Sequence, residues 1–196
     1  MVSRAVNRER IFRTALDYDT LLAWLEAALT RYPVTCGGYC LMPNHFHLLA
    51  SPGGEGALGG FMHRALGGQA ADFRTSMGTR GYGHVYGSRY WSRVIANDEE
   101  YLRVLRYVES NALRAQMVER AENWPWSSLW ARTNSRRLAL AQPPVALPPD
   151  WIALVNREWV ADELDAVRRP VKWGRRPKSR ADARRPATEE DTDAAP

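Results

Sequence analysis

Residues 34–51 read VTCGGYCLMPNHFHLLAS, two apolar runs separated by the pair Pro43-Asn44. Proline presets a backbone φ of about −65° and asparagine accepts turn conformations, so this pair suits a tight turn. Two apolar runs on either side of a short turn are typical of a β-hairpin. The sequence therefore predicts two antiparallel strands that are joined at Pro43-Asn44.

Two histidines, His45 and His47, open the second run with Phe46 between them. Alternation along a strand places both imidazoles on one face, with Cβ atoms roughly 6–7 Å apart. A lone histidine in an apolar run is usually a hydrogen-bonded structural residue, but burying two without partners costs several kcal/mol. Taken alone, the pair is as consistent with structural histidines as with a divalent metal site.

Several classes of metal protein use a His-x-His motif, and the rest of the chain disfavours some of them. A cupin needs an all-β chain and an amidohydrolase barrel about 250 residues, whereas this chain has 196 residues and several helical segments. Cys36 and Cys40 should lie roughly 13 Å apart on an extended strand, which is too far for a disulfide or a shared zinc ion. The H-x-E and P-C-x-x-C motifs of zinc deaminases are absent from the sequence.

The spacing of apolar residues, together with prolines, glycines and helix-capping residues, indicates where the other helices and strands lie. We predict a short strand at 1–6, a helix at 17–30, a helix within 56–76 that four glycines weaken, a strand near 89–95, and a helix from Asn97 to about Leu113. The order strand, helix, hairpin, helix, strand predicts an α+β fold. We expect a ferredoxin-like antiparallel sheet with helices packed on one face.

The last of these helices carries a candidate nucleophile. Asn97 can cap the helix, and Glu100 would complete a capping box. An apolar stripe should face the sheet: Tyr101, Leu102, Leu105, Val108 and Ala112. Tyr107 then lies on the opposite, polar side, so it is a better candidate nucleophile than Tyr101.

Polar neighbours suggest what Tyr107 could do. Arg103, Asn111 and Arg114 lie near it at one-turn spacings. A surface tyrosine is ordinary by itself, but guanidinium groups beside a phenol suit attack on a phosphodiester, and an asparagine oxygen can bind a metal. The helix therefore indicates a phosphoryl-transfer site.

The overall composition and charge limit what kind of protein this chain can be. With 45% hydrophobic and 25% charged residues, the chain has the composition of a globular protein. A net charge of +5 favours a polyanionic partner, although much of this charge lies in the C-terminal tail. No apolar run is long enough for a membrane span or a signal peptide, and we expect a cytoplasmic protein with no membrane partner.

Three segments of the sequence together match the pattern of a known family. They are YCLMPNHFHLLASP (39–52), GHVYGSRYWSRVI (83–95) and EEYLRVLRYVESNALRAQMVERAENWPWSSL (99–129). In this order and spacing they resemble the HUH single-strand transposases, and most closely the IS200-like tyrosine transposases associated with repetitive extragenic palindromes. The resemblance covers roughly residues 2–165.

The resemblance implies a catalytic mechanism. His45, His47 and Asn111 would bind Mg²⁺ or Mn²⁺, and two imidazoles suit Mn²⁺ at least as well as Mg²⁺. Tyr107 would attack a DNA phosphate to give a 5′-phosphotyrosine and a free 3′-OH. The alternative is a catalytically decayed relative that binds single-stranded DNA hairpins.

The same resemblance implies the partner and its contacts. The substrate would be a single strand folded into a hairpin, whose unpaired bases stack on aromatic side chains. We expect DNA contacts from Tyr86, Tyr90, Arg89, Arg93, Arg103 and Arg114, with Tyr82, Trp91 and Arg80 as further members of this set. The protein would act as a monomer or a homodimer.

The resemblance and the composition along the chain together suggest how the chain is divided. We expect a catalytic domain at 1–130 whose first strand is shortened at its start, a Pro-rich connector and helical appendage at 131–173, and a disordered tail at 174–196. Ala112 stands where relatives usually have proline, a change that would let the helix run on.

Overall fold

The computed structural model describes residues 1–81, 83–87, 90–134 and 138–168, with no side-chain placement for Arg168. The strands are β1 (Val2–Arg4), β2 (Val34–Met42) and β3 (His45–Pro52). The helices are α1 (Ala15–Arg31), α2 (Ala57–Ser76), α3 (Asp98–Glu109), α4 (Asn111–Arg114), α5 (Ser128–Thr133), α6 (Trp151–Asn156) and α7 (Ala161–Arg168). The predicted disordered tail lies outside these residues. In the part of the chain that is described, no helix is long and apolar enough to cross a membrane.

The strands form an antiparallel sheet in the order β1-β3-β2. Met42 pairs with His45, so Pro43-Asn44 is the two-residue turn that the sequence predicts. β3 is central, and its His47 lies opposite Val2 on one side and Cys40 on the other. The α+β, ferredoxin-like arrangement is confirmed.

Among the described residues of the strand predicted near 89–95, Trp91 alone pairs with the sheet, as an isolated bridge. Val2 and Trp91 exchange two backbone hydrogen bonds of 2.8 and 2.9 Å, which places Trp91 on the outer side of β1. Residues 92–95 make no further ladder pair, whereas Tyr86 forms a second bridge with Ala5 and the Gly87 N–H donates to the Arg4 carbonyl at 3.1 Å. Ser88 and Arg89 lie outside the described residues. β-branched and aromatic composition favours a strand but cannot supply a continuous partner edge.

Helices α1 and α2 cover the sheet face to which Phe46 and Leu48 point, and their buried residues form one apolar cluster with it. The glycines of α2 do not prevent the helix. Gly68 lies directly against α1, where a Cβ would come within 2.3 Å of the Trp24 ring. The missing side chain therefore lets α1 and α2 approach closely.

Helix α3 lies on the opposite face, beside His47 and Leu49. Leu49 and Leu105 belong to a second apolar cluster on this side. The predicted one-face arrangement thus describes α1 and α2, whereas α3 adds a further layer because its apolar stripe packs on the histidine side of the sheet. This position brings the candidate nucleophile and the histidines to the same face.

The ends of α3 differ in detail from the prediction. The Asn97 side chain caps the helix by accepting from the Glu100 N–H at 2.9 Å. Glu100 instead accepts from the Ala96 N–H at 2.7 Å and pairs with Arg93, so the predicted reciprocal capping box does not form. The helix ends at Glu109, and α4 follows directly after Ser110.

Helices α6 and α7 pack on the outer side of α3 through Arg106. Its guanidinium donates to the Leu154 carbonyl at 2.8 Å, to the Arg157 carbonyl at 2.9 Å and to the Glu163 carboxylate at 3.0 Å. Arg106 is 7% exposed. The polar side of α3 is therefore largely covered by the C-terminal helices.

Candidate functional site

His45 and His47 lie side by side at the start of β3. Their ring centroids are 5.0 Å apart, with planes at 76° to one another. His47 is buried and His45 is half-buried. Strand alternation therefore produces the predicted same-face pair, at the end of the sheet next to the β2–β3 turn.

Asn44 in the turn orients the first histidine. The Asn44 side-chain nitrogen donates to the Arg8 carbonyl at 3.1 Å, so its oxygen is free to accept from Nδ1 of His45, 2.6 Å away. This arrangement places the proton of a neutral His45 on Nδ1 and leaves the lone pair on Nε2. A hydrogen bond to the other ring nitrogen is the usual support for a metal-binding histidine.

Both imidazoles favour the neutral form. Burial, aided by the charge of Arg4, lowers the pKa of His45 to about 4. Burial also lowers the pKa of His47 well below its usual value, with a further contribution from His45. Neutral imidazoles carry the free lone pairs that a divalent metal requires.

Tyr107 reaches this pair from α3. Its ring centroid lies 5.7 Å from that of His47, with an interplanar angle of 80°. The sequence predicts that Tyr107 points away from the sheet side of the helix. In the structure it lies between the sheet and the C-terminal helices, half-buried, because its polar side of α3 is not open to solvent.

Arg114 supplies positive charge at the same place. Its guanidinium carbon lies 4.6 Å from the centroid of the Tyr107 ring. Its Nη1 is buried and has no hydrogen-bond partner among the described residues. A guanidinium nitrogen without a partner beside the tyrosine can donate to an anionic oxygen.

Asn111 lies one turn beyond Tyr107 and is buried. Its side-chain nitrogen donates to the carbonyls of Tyr107 at 2.7 Å and Val108 at 3.3 Å. These two bonds assign the nitrogen to the helix and leave the side-chain oxygen as an acceptor. Among the described residues, three or more His, Cys, Asp or Glu side chains never meet in one place. A metal at the histidine pair would therefore need Asn111, substrate oxygens or water as its other ligands.

The other predicted DNA contacts are dispersed. Arg103 is partly exposed and pairs with Glu99 on α3. The Arg93 side chain is mostly buried, and its guanidinium pairs with Glu100 and donates to the Val167 carbonyl at 3.0 Å.

The predicted aromatic contacts also differ in position. The Tyr86 hydroxyl donates to the Gln69 side chain of α2 at 2.9 Å, so Tyr86 belongs to the face opposite the histidines. Tyr90 is half-buried against the main apolar cluster, and Trp91 is 45% exposed. Tyr82 and Arg89 lie outside the described residues.

Trp159, between α6 and α7, is a neighbour of Tyr107 that sequence patterns miss. Its ring centroid lies 6.0 Å from that of Tyr107, with planes at 81°. The one available signal is a tryptophan in the otherwise polar segment NREWVADE (156–163). No spacing rule connects that segment to α3.

Comparison with known proteins adds a family and a fold. A family model described as "Transposase IS200 like" matches residues 1–111. The fold is similar to a solved structure of a REP-associated tyrosine transposase bound to a REP hairpin. That similarity has a TM-score of 0.52 and 16% identity, and it covers 74% of this chain and 86% of the other. None of the curated proteins matches this chain.

Proposed function

Because this chain belongs to the IS200-like transposase family, we propose that it nicks and rejoins single-stranded DNA with Tyr107 as the nucleophile. The observation that carries the proposal is the convergence of Tyr107 with the histidine pair. These groups come from segments far apart in the chain, and the ring centroids of Tyr107 and His47 lie 5.7 Å apart. The Arg114 guanidinium lies over the face of the Tyr107 ring. A phenol, neutral imidazoles and a guanidinium with an unpartnered nitrogen are groups that can support phosphodiester transfer.

The proposed reaction exchanges one phosphodiester for another. The Tyr107 oxygen forms a bond to phosphorus as the bond from phosphorus to the 3′ oxygen breaks. The products are a 5′-phosphotyrosine and a free 3′-OH, whose proton balances the one lost by the phenol. Arg114 would hold the anionic phosphate oxygens against the tyrosine. Reversal with a different 3′-OH would rejoin the strand.

The residues present fit a divalent metal. His45 presents its Nε2 lone pair, burial keeps His47 neutral, and the Asn111 oxygen is not used by the helix. When bound there, Mg²⁺ or Mn²⁺ supplies Lewis-acid polarisation of the phosphate. Two nitrogen ligands favour Mn²⁺, because Mg²⁺ prefers oxygen.

We further propose that the substrate is a single strand folded into a hairpin. The similar solved structure holds a REP hairpin, and the net charge of this chain is +5. Counterion release from the phosphates would make binding weaker as the salt concentration rises.

Covalent capture tests the proposal. The probes are 3′-labelled single strands that tile the DNA flanking the gene, because the 5′-phosphotyrosine retains the 3′ fragment. We expect a denaturant-resistant labelled band with Mn²⁺, lost in Tyr107→Phe while DNA affinity is retained.

Tyr101→Phe is the matched control. It removes a hydroxyl from the same helix, and that hydroxyl has no hydrogen-bond partner among the described residues. It should preserve the adduct. An adduct that persists in Tyr107→Phe would exclude Tyr107 as the nucleophile. Salt-sensitive, metal-independent binding of every probe without any adduct would instead support the hairpin-binding alternative.

A further inference from the structure

Trp159 forms one wall around the Tyr107 ring. The ring has Arg114 over its face, His47 at 5.7 Å and Trp159 at 6.0 Å, the last two at nearly perpendicular angles. Perpendicular aromatic pairs at such distances are mutually attractive. Of these three neighbours, Trp159 is the one contributed by the C-terminal part of the chain, from the connection between α6 and α7.

Trp159 is itself firmly held. Its indole N–H donates to the Ser110 hydroxyl at 3.0 Å, and the Arg106 guanidinium lies 4.0 Å from its ring centroid. Arg106 is anchored in turn by the carbonyls of Leu154 and Arg157 and by Glu163. The indole is thus held by Arg106, immediately before Tyr107, and by Ser110, three positions after it.

These contacts have a consequence for the tyrosine. A side chain on a helix can rotate about χ1 and χ2 among several staggered positions unless neighbours exclude them. With Trp159 in place, the ring is confined between the indole and the His47 ring. Without it, the side facing α6 and α7 would be open, and the phenol could turn away from the histidines.

We propose that Trp159 is a positioning residue, which holds the Tyr107 ring in the orientation needed for attack. The inference rests on the proposed function and extends it beyond residues 1–111, the region that the family model matches. Attack requires the nucleophile within about 3–3.5 Å of the reacting atom, so loss of orientation lowers the rate without weakening DNA binding.

The first test compares single-turnover rates of adduct formation at saturating DNA, using a flanking strand that the wild type captures. Trp159→Leu keeps apolar bulk but removes the ring, and we expect its rate to fall about tenfold or more. Its DNA affinity should stay within about twofold, because the indole is not proposed to touch DNA. Trp159→Phe restores a perpendicular aromatic contact and should recover most of the rate. Val160→Ala, at a neighbouring side chain that is 62% exposed, is the control and should match the wild type.

The second test needs neither DNA nor metal. A 3-fluorotyrosine at position 107 reports the ring environment by ¹⁹F NMR, because a nearby indole shifts the resonance. Trp159→Leu should move this signal towards that of the unfolded chain, and Val160→Ala should leave it in place.

The two tests separate the possible failures. A wild-type protein that forms no adduct contradicts the proposed function, whereas an unmoved fluorine signal in Trp159→Leu contradicts the contact. A wild-type adduct rate in Trp159→Leu, or a Trp159→Phe rate as low as that of Trp159→Leu, overturns the positioning role alone.

Discussion

The sheet face beneath α1 and α2 is packed almost wholly with apolar side chains, whereas the face beneath α3 also buries polar and charged groups. On the first face, Phe46 and Leu48 meet Leu25 and Phe61 in one cluster. On the second face, Leu49 and Leu105 belong to a smaller apolar cluster. Buried polar and charged side chains lie on the same side of the sheet: His47 on β3, and Arg106 and Glu109 on α3.

Glu109 shows how the α3 face accommodates a charge. It is fully buried, and its carboxylate accepts from Ser128 at 2.6 Å, Arg132 at 3.0 Å and the Trp151 indole at 2.7 Å. These bonds join α3 to α5 and α6. The comparison indicates that apolar packing on one face stabilises the sheet, while directional polar contacts on the other hold the site in one arrangement.

Removing the carboxylate at the centre of the α3 face should have the largest effect. Glu109→Ala leaves Nε of Arg132 and two other donors without their acceptor, and it removes the counter-ion of the Arg132 charge. We expect the free energy of unfolding to fall by about 3–5 kcal/mol. Urea unfolding followed by far-UV circular dichroism measures this change.

Glu99→Ala is the control for that measurement. It removes a carboxylate from the same helix, but the Glu99 side chain is 82% exposed in its pair with Arg103. The expected loss is about 0.5 kcal/mol or less. Equal losses in the two variants would show that the buried network does not support this face.

A smaller effect is expected from a methyl group on the other face. In Gly68→Ala the new Cβ would meet the Trp24 ring, so the free energy of unfolding should fall by about 1–3 kcal/mol. At Gly67 a Cβ meets nothing within 4 Å, and Gly67→Ala should stabilise the helix by up to about 1 kcal/mol. Thermal unfolding of both variants provides the comparison. A change in the free energy of unfolding with the same sign in both variants would contradict the close packing of α1 on α2.

The smallest expected effect is on DNA binding, and it tests which of the two faces contacts DNA. Arg103→Gln on α3 should weaken binding of a flanking-strand probe severalfold and reduce the slope of log K against log salt by about one. Arg64→Gln removes an exposed arginine from α2, where it lies 5.0 Å from the Trp24 ring, and should change neither quantity. Fluorescence anisotropy over a salt series measures both. A larger change in slope for Arg64→Gln than for Arg103→Gln would place the DNA on the face covered by α1 and α2.

Local patterns predicted the elements well where neighbouring residues decide the outcome. The hairpin follows from Pro43-Asn44, and the start of α3 follows from the Asn97 cap. Within the strand expected near 89–95, the described residues form one bridge, between Trp91 and Val2, because a strand needs a partner along its whole length. Composition reports a preference for extended backbone and not the presence of that partner.

The surroundings of the site were less predictable. Arg93 has the residue type and spacing of a DNA contact, yet it lies inside the fold against Glu100 and the Val167 carbonyl. Trp159 lies 52 positions after Tyr107 in the chain and still contacts its ring. Helical periodicity identifies the polar side of α3, but it does not say whether water or another helix covers that side.

The sequence by itself determined the hairpin, the placement of His45 and His47 on one face of β3, and the helix that carries Tyr107. Each depends on residues a few positions apart, through turn geometry, strand alternation and helix capping. Tertiary structure alone decided that α3 packs on the histidine face and that Trp159, between α6 and α7, lies against Tyr107. Those contacts join segments far apart in the chain, so they depend on which surfaces fit together and bury their polar groups with partners.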